Sequence, residues 1–285
     1  MKDPGNGKTF SASDGLELFY RDFGPGIDGT PVICLPGLTR NSRDFIDLAA
    51  HVGGRRRVLL PDLRGRGNSA YDPEWRNYHP GTYVKDTWTL LDSLGIERVI
   101  VVGTSLGGLC AMGMAATQAE RLAAVVINDI GPEINPAGIE RIRSYVGTQK
   151  APGTWEEAIE QTRTNYGDFL PGLTDDDWDR MVWKAYRKGR DGVPIADYDP
   201  NIGRAITEVG AQTGDPWTYF DALGPVRTTL IWGVLSDILT KDIVDKMAAR
   251  KPDLEVVRVT NRGHAPLLDE PECLAAIDAV LAETP

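Results

Sequence analysis

The stretch Val99-Ile100-Val101-Val102-Gly103-Thr104-Ser105-Leu106-Gly107-Gly108 carries most of what the chain says about its fold. Its first four residues, all β-branched and aliphatic, read as a strand buried on both faces. Residues 106–118 read as a helix. Between them, G-x-S-x-G puts a serine at a strand-to-helix turn, the setting that gives this short motif its meaning. Glycines two before and two after Ser105 permit a tight, strained turn that lifts the hydroxyl clear of the sheet. A serine hydroxyl is a poor nucleophile at neutral pH, so it needs a base, and the base needs an orienting carboxylate.

Outward from this turn, apolar strands alternate with amphipathic helices. The strands are expected at residues 9–13, 16–23, 31–35, 57–61, 98–103, 122–128, 228–233 and 254–259. Asp14-Gly15 marks a hairpin between the first two. Helices are expected at 43–52, 83–94, 106–118, 241–250 and 271–282, with Pro271 well placed in a first turn. This is an α/β pattern: a mostly parallel, twisted sheet of about eight strands with helices on both faces.

Residues 133–214 break the rhythm. They contain no convincing buried strand but do contain helical runs at 155–166 and 175–188. Asp175-Asp176-Asp177 would complement the positive end of the second run. So long a stretch is too long for a plain loop in a compact domain. The reading is a catalytic core formed by 1–132 and 215–285, interrupted by a helical cap at 133–214.

Composition narrows the function by exclusion. Among 285 residues, 31 Lys and Arg face 41 Asp and Glu, a formal charge of −10. Nucleic acid or an anionic membrane would call for a basic patch, so neither is expected as the main partner. Cys34, Cys110 and Cys273 are widely spaced, with no C-x-x-C pair. They suggest no disulfide framework and no zinc site, and they suit a reducing cytoplasm. The opening Met1-Lys2-Asp3-Pro4-Gly5 leads into polar residues, so no secretory signal is expected. No apolar run reaches the ~18 residues of a membrane span.

The chain has only three histidines. His264 lies in Val259-Thr260-Asn261-Arg262-Gly263-His264, a loop beyond the last strand, where open α/β sheets gather their sites. His51 ends an early helix as a dipole partner, and His79 sits in a polar loop with no strand end behind it. His264 is therefore the expected base. For the carboxylate, Asp237 is the only acid between the strand at 228–233 and the next helix, and it falls between Ser105 and His264 in chain order. Its rival is Asp129, in Asn128-Asp129-Ile130 at the end of another strand. Asp237 is the favoured partner.

With these residues in view, nearly the whole chain resembles the α/β-hydrolase superfamily, and within it the capped serine hydrolases of carboxylesterase or lactonase type. The order serine, acid, histidine matches that superfamily. Cys34-Leu35-Pro36-Gly37-Leu38 resembles its oxyanion segment, with Pro36 where many members carry histidine. The resemblance implies that the backbone N–H groups of Leu38 and Leu106 form an oxyanion hole. Pro61-Asp62-Leu63-Arg64-Gly65-Arg66-Gly67-Asn68-Ser69 looks like its D-x-R-G-x-G-x-S turn, with Arg64 and Arg66 expected in ion pairs. Trp232-Gly233-Val234-Leu235-Ser236-Asp237 resembles its acid loop.

The implied reaction is a two-step acyl transfer by Ser105, His264 and Asp237 on a small ester or lactone, with no metal or organic cofactor. Alternatives are hydrolytic C–C cleavage of a ring-fission ketone, or a hydrolase-like receptor for a small molecule. Substrate contacts are sought among the cap aromatics Tyr145, Trp155, Tyr166, Phe169, Trp178, Trp183, Tyr186 and Tyr198, with Trp183 and Tyr186 favoured. Arg40 could hold a substrate carboxylate or form a salt bridge.

Overall fold

The computed structural model describes residues 5–208 and 215–285. The first four residues, and the expected far boundary of the insertion at 214, lie outside them. The chain forms a hairpin of β1 (Gly7–Ser11) and β2 (Glu17–Phe23), then β3 (Val32–Leu35), α1 (Ile46–Val52) and β4 (Val58–Pro61). Next come α2 (Pro80–Ser93), β5 (Val99–Thr104), α3 (Leu106–Gln118) and β6 (Leu122–Asn128). After β6 follow α4 (Pro136–Tyr145), α5 (Trp155–Tyr166), α6 (Asp175–Ala185), a small hairpin of β7 (Tyr186–Lys188) and β8 (Pro194–Ala196), and α7 (Asn201–Glu208). The chain ends with α8 (Trp217–Asp221), β9 (Thr228–Gly233), α9 (Lys241–Arg250), β10 (Glu255–Val259) and α10 (Pro271–Glu283).

Eight strands form one sheet in the order β1-β2-β4-β3-β5-β6-β9-β10. The β1–β2 and β2–β4 pairings are antiparallel, and the rest are parallel. Along β5, Val99 and Val101 face a core that includes α2, α3 and α9, while Ile100 and Val102 face one that includes α1 and α10. That period of two makes β5 apolar from Val99 to Val102 and fixes it between two helical layers.

The helix limits depart from expectation where side chains intervene. The helix expected at 83 starts at Pro80, because the His79 Nδ1 accepts the Gly81 N–H at 3.1 Å and proline fits the first turn. The helix expected to reach 188 stops at Ala185, because Tyr186–Lys188 pairs with Pro194–Ala196 instead. Between β6 and α8, the β7–β8 hairpin is not part of the eight-stranded sheet, while Val146, Ile202 and Ala205 join the core beneath it. Leu170, Trp178 and Met181 form a small cluster there, with Ile159, Tyr166 and Leu173 packed around it and Leu267, from the loop after β10, against it. No helix among the described residues is long and apolar enough to cross a membrane.

Candidate active site

Ser105 sits between β5 and α3 with φ 52° and ψ −114°. A non-glycine residue is held there only when its surroundings over-determine the turn. They do. A Cβ on Gly107 would lie 2.0 Å from the Leu35 carbonyl oxygen, and one on Gly103 would lie 2.4 Å from the Gly107 oxygen. Helix α3 can therefore press against β3 and β5 only because both positions lack side chains. Ser105 N–H donates to the Asn128 carbonyl at 2.9 Å, tying the turn to the end of β6.

His264 lies in the loop after β10 and is largely buried. Its Nε2 is 2.9 Å from Ser105 Oγ, and its Nδ1 is 2.8 Å from Asp129 Oδ2. With Asp129 ionised, Nδ1–H donates to the carboxylate, leaving Nε2 to accept the serine proton.

The carboxylate is the rival residue, and the expectation for Asp237 is corrected. Asp129 turns off the end of β6 with φ 58° and is fully buried. Its other two hydrogen bonds come from the Ser236 hydroxyl at 2.6 Å and the Gly233 N–H at 2.8 Å. Burial pushes its carboxyl above the ordinary range, against the pull of His264, Ser236 and Gly233. The acid loop after β9 thus contributes Ser236 rather than its neighbour. Asp237 faces the insertion, where Arg141 on α4 holds it through Nε at 2.5 Å and Nη2 at 2.9 Å. Its charge is spent on anchoring α4.

The other histidines are elsewhere. His51 meets Asp278 at 3.0 Å, and His79 caps α2. The Leu38 and Leu106 N–H groups have no protein acceptor among the described residues. For Leu106 this follows from its place as the first residue of α3.

Above Ser105 lies a cavity of about 140 Å³. Apolar side chains line it, among them Leu38, Phe45, Ile142, Val146, Leu170 and Met181, together with Tyr145 and Tyr166. The two tyrosines meet edge to face with ring centres 6.1 Å apart. Trp183 and Tyr186, the favoured aromatics, are not in this wall. Arg43 stacks on Trp183 at 5.7 Å, and Tyr186 opens the β7–β8 hairpin opposite Ala196. A helix extended to 188 would have turned Tyr186 differently. Arg40 does line the cavity, but Asp44 grips it bidentately at 2.6 and 2.8 Å. Burial works against its charge, and Asp44 outweighs that and holds its pKa above the ordinary value.

The alpha/beta hydrolase fold model matches residues 30–271. The chain belongs to the alpha/beta hydrolase family. It is an enzyme of that family, and relatives named as hydrolases are among those it resembles. It is 32% identical over 267 residues to a 3-hydroxybutyrate-oligomer hydrolase of Cupriavidus necator, covering 90% of each chain. It is also 26% identical to haloalkane dehalogenase 2 of Mycobacterium bovis, across 96% of this hydrolase and 93% of that one. An alpha/beta hydrolase from Novosphingobium aromaticivorans shares 42% identity with a TM-score of 0.91, over 97% of both chains.

Proposed function

We propose that this hydrolase cleaves short-chain carboxylic esters, lactones included, through an acyl-enzyme on Ser105. The observation that carries this reading is the unbroken relay from Ser105 Oγ through His264 to the buried Asp129. His264 Nε2 takes the Ser105 proton as Oγ attacks the carbonyl carbon. The Leu38 and Leu106 amides receive the oxyanion, and preorganised donors of this kind contribute about 2.7–4 kcal/mol each. Collapse expels the alcohol, which takes the proton from Nε2. A water deprotonated by the same nitrogen then attacks the acyl carbon, and the acid leaves with Ser105 restored. Asp129 keeps the imidazole in the tautomer both halves need and stabilises the transient imidazolium. The elements from α4 to α7 act as a cap that excludes bulk water from this step.

The serine separates this reaction from dehalogenation. A serine that displaced halide from an alkyl carbon would be left as an ether, with no carbonyl for water to attack. Attack on an ester leaves an acyl-serine that water can open. The substrate is small, since the cavity of about 140 Å³ is below the ~300 Å³ at the lower end for drug-sized ligands. A short hydroxyacyl ester fits that volume and agrees with the activity for which the Cupriavidus relative is named. Three buried free thiols suit a reducing compartment, the cytoplasm.

Fluorophosphonate labelling tests the reading. The wild-type chain should label and should turn over p-nitrophenyl butyrate and a 3-hydroxybutyrate dimer repeatedly. Ser105→Ala should do neither. A folded wild-type chain that resists the probe would refute the serine-nucleophile mechanism.

A further inference from the structure

The turn after β4 contains two arginines, Arg64 and Arg66, with opposite surroundings. Arg64 is neutralised three times over, by Asp14 at 2.8 Å, Asp72 at 2.5 Å and Asp86 at 2.6 Å. Arg66 is fully buried, yet no carboxylate lies within ion-pairing distance of it among the described residues, contrary to the ion pair expected. Its Nε donates to the Leu38 carbonyl at 2.9 Å. Its Nη1 donates to the Arg64 carbonyl at 2.6 Å and the Tyr83 hydroxyl at 2.9 Å, and Nη2 has no protein acceptor. The guanidinium also stacks on the Tyr83 ring, 4.8 Å from its centre. Burying a cation without a counter-ion is costly, so a function for the charge is worth seeking.

The two ends of this arrangement point to one. On one side is Leu38, whose carbonyl Arg66 holds and whose own N–H is a proposed oxyanion donor. The loop is already closed by Arg40 N–H donating to the Gly37 carbonyl at 3.1 Å, so a bond to the Leu38 carbonyl fixes the remaining backbone rotation. On the other side is the insertion. Gly67 N–H donates to the Asp197 carbonyl at 3.0 Å, Asp199 N–H donates to the Gly65 carbonyl at 2.7 Å, and Arg66 bridges Tyr198 in antiparallel fashion. Backbone hydrogen bonds thus join the cap segment at 197–199 to Gly65 and Gly67, and the side chain of Arg66, held between those two glycines, reaches the oxyanion loop.

We propose that Arg66 is a positioning residue that sets the Leu38 half of the oxyanion hole and ties it to the seating of the cap. The proposal rests on the acyl-transfer reading above. Its uncancelled positive charge sits against the Leu38–Thr39 peptide, the unit next to the Gly37–Leu38 peptide whose N–H must face a developing negative charge, so its contribution appears in the tetrahedral state and not in ground-state binding.

The test compares wild type, Arg66→Met, Arg66→Lys and Tyr83→Phe as full-length chains. The readouts are kcat and KM for p-nitrophenyl butyrate, inhibition by butylboronic acid as a tetrahedral mimic, and thermal melting. For Arg66→Met we expect kcat to fall about 10- to 100-fold with KM within about twofold, and boronate affinity to fall in parallel. Arg66→Lys should recover part of both. Tyr83→Phe removes one support of the guanidinium but keeps its charge and should lower kcat only a few-fold, so the idea stays testable if Arg66→Met does not fold. Unchanged kcat and boronate affinity in a folded Arg66→Met would overturn the proposal. So would losses that track melting temperature alone, without a split between kcat and KM. If the wild type neither labels nor turns over, the acyl-transfer reading has failed first, a distinct outcome.

Discussion

Replacing Asp129 by Asn is the sharpest perturbation of the site. The carboxylate accepts from His264, Ser236 and the Gly233 amide, and the side chain is fully buried. An asparagine fits the same space, but one of its two oxygens becomes an NH2. If the amide keeps its oxygen toward Gly233, the NH2 faces His264 and donates to Nδ1. The imidazole proton then moves to Nε2, which is 2.9 Å from Ser105 Oγ, and the base is lost without any change of shape. A tautomer error of this kind costs about 10⁴ in kcat, or roughly 5.5 kcal/mol. Asp237→Asn removes half of a partly exposed ion pair with Arg141, and such pairs contribute at most about 1 kcal/mol. It should leave kcat within a few-fold and lower the melting temperature by about 2–4 °C. The assay is steady-state hydrolysis of p-nitrophenyl butyrate, normalised to folded protein by melting curves. If Asp129→Asn keeps more than a tenth of wild-type kcat, or if Asp237→Asn loses 10³-fold, the assignment is wrong.

Three further outcomes follow from the same geometry. Gly107→Ala puts a methyl group 2.0 Å from the Leu35 oxygen, a backbone clash that no rotamer relieves. It should cost about 3 kcal/mol or more, read as a large loss of melting temperature or of soluble protein. Burial pushes the Cys110 thiol up to about 12 and raises Cys34 and Cys273 as well. Because the thiolate is the reactive form, alkylation of the folded chain should stay negligible from pH 7 to 9, while unfolding in guanidinium should expose all three thiols; ready labelling of the native chain would contradict the core packing. Tyr145→Ala opens the cavity wall beside Ile142, so the preference should shift from butyrate toward octanoate esters by about tenfold in kcat/KM. An unchanged chain-length profile would remove Tyr145 from the specificity wall.

Much of the core was legible because its signals are local. Each central strand is short, has an apolar run at its middle and is bounded by turn residues, and strands of that kind belong between two helical layers. The G-x-S-x-G turn was equally legible, since its glycines are demanded by contacts between adjacent elements. The end of α6 was less so. The run through residue 188 looks helical by itself, and what ends it is pairing with Pro194–Ala196, a contact outside any local window. Which of the candidate aromatics line the cavity was out of reach for the same reason: Tyr145 ends helix α4 at the cavity, whereas Tyr186 opens a strand whose place is set by pairing with Ala196.

By itself, the sequence singled out Ser105 and His264, the pair to which the proposed mechanism gives the roles of nucleophile and base. Ser105 sits in a turn whose conformation its neighbours dictate, and His264 is the one histidine of three placed beyond a strand end. It narrowed the acid to two residues and could go no further, because Asp129 and Asp237 both follow a strand and both fall between Ser105 and His264 in the chain. Tertiary structure made that choice. Strand β6 lies directly beside β5, and the turn at φ 58° folds Asp129 back toward the imidazole. Asp237, one strand farther out, is taken by Arg141 from the insertion. Arg66 shows the same division. Its turn was recognisable, but only the packed structure sets its charge behind Leu38 instead of beside a carboxylate. Which groups meet depends on strand order and on how the helices between β6 and β9 pack, and both are decided by burial over distances in the chain that no local pattern records.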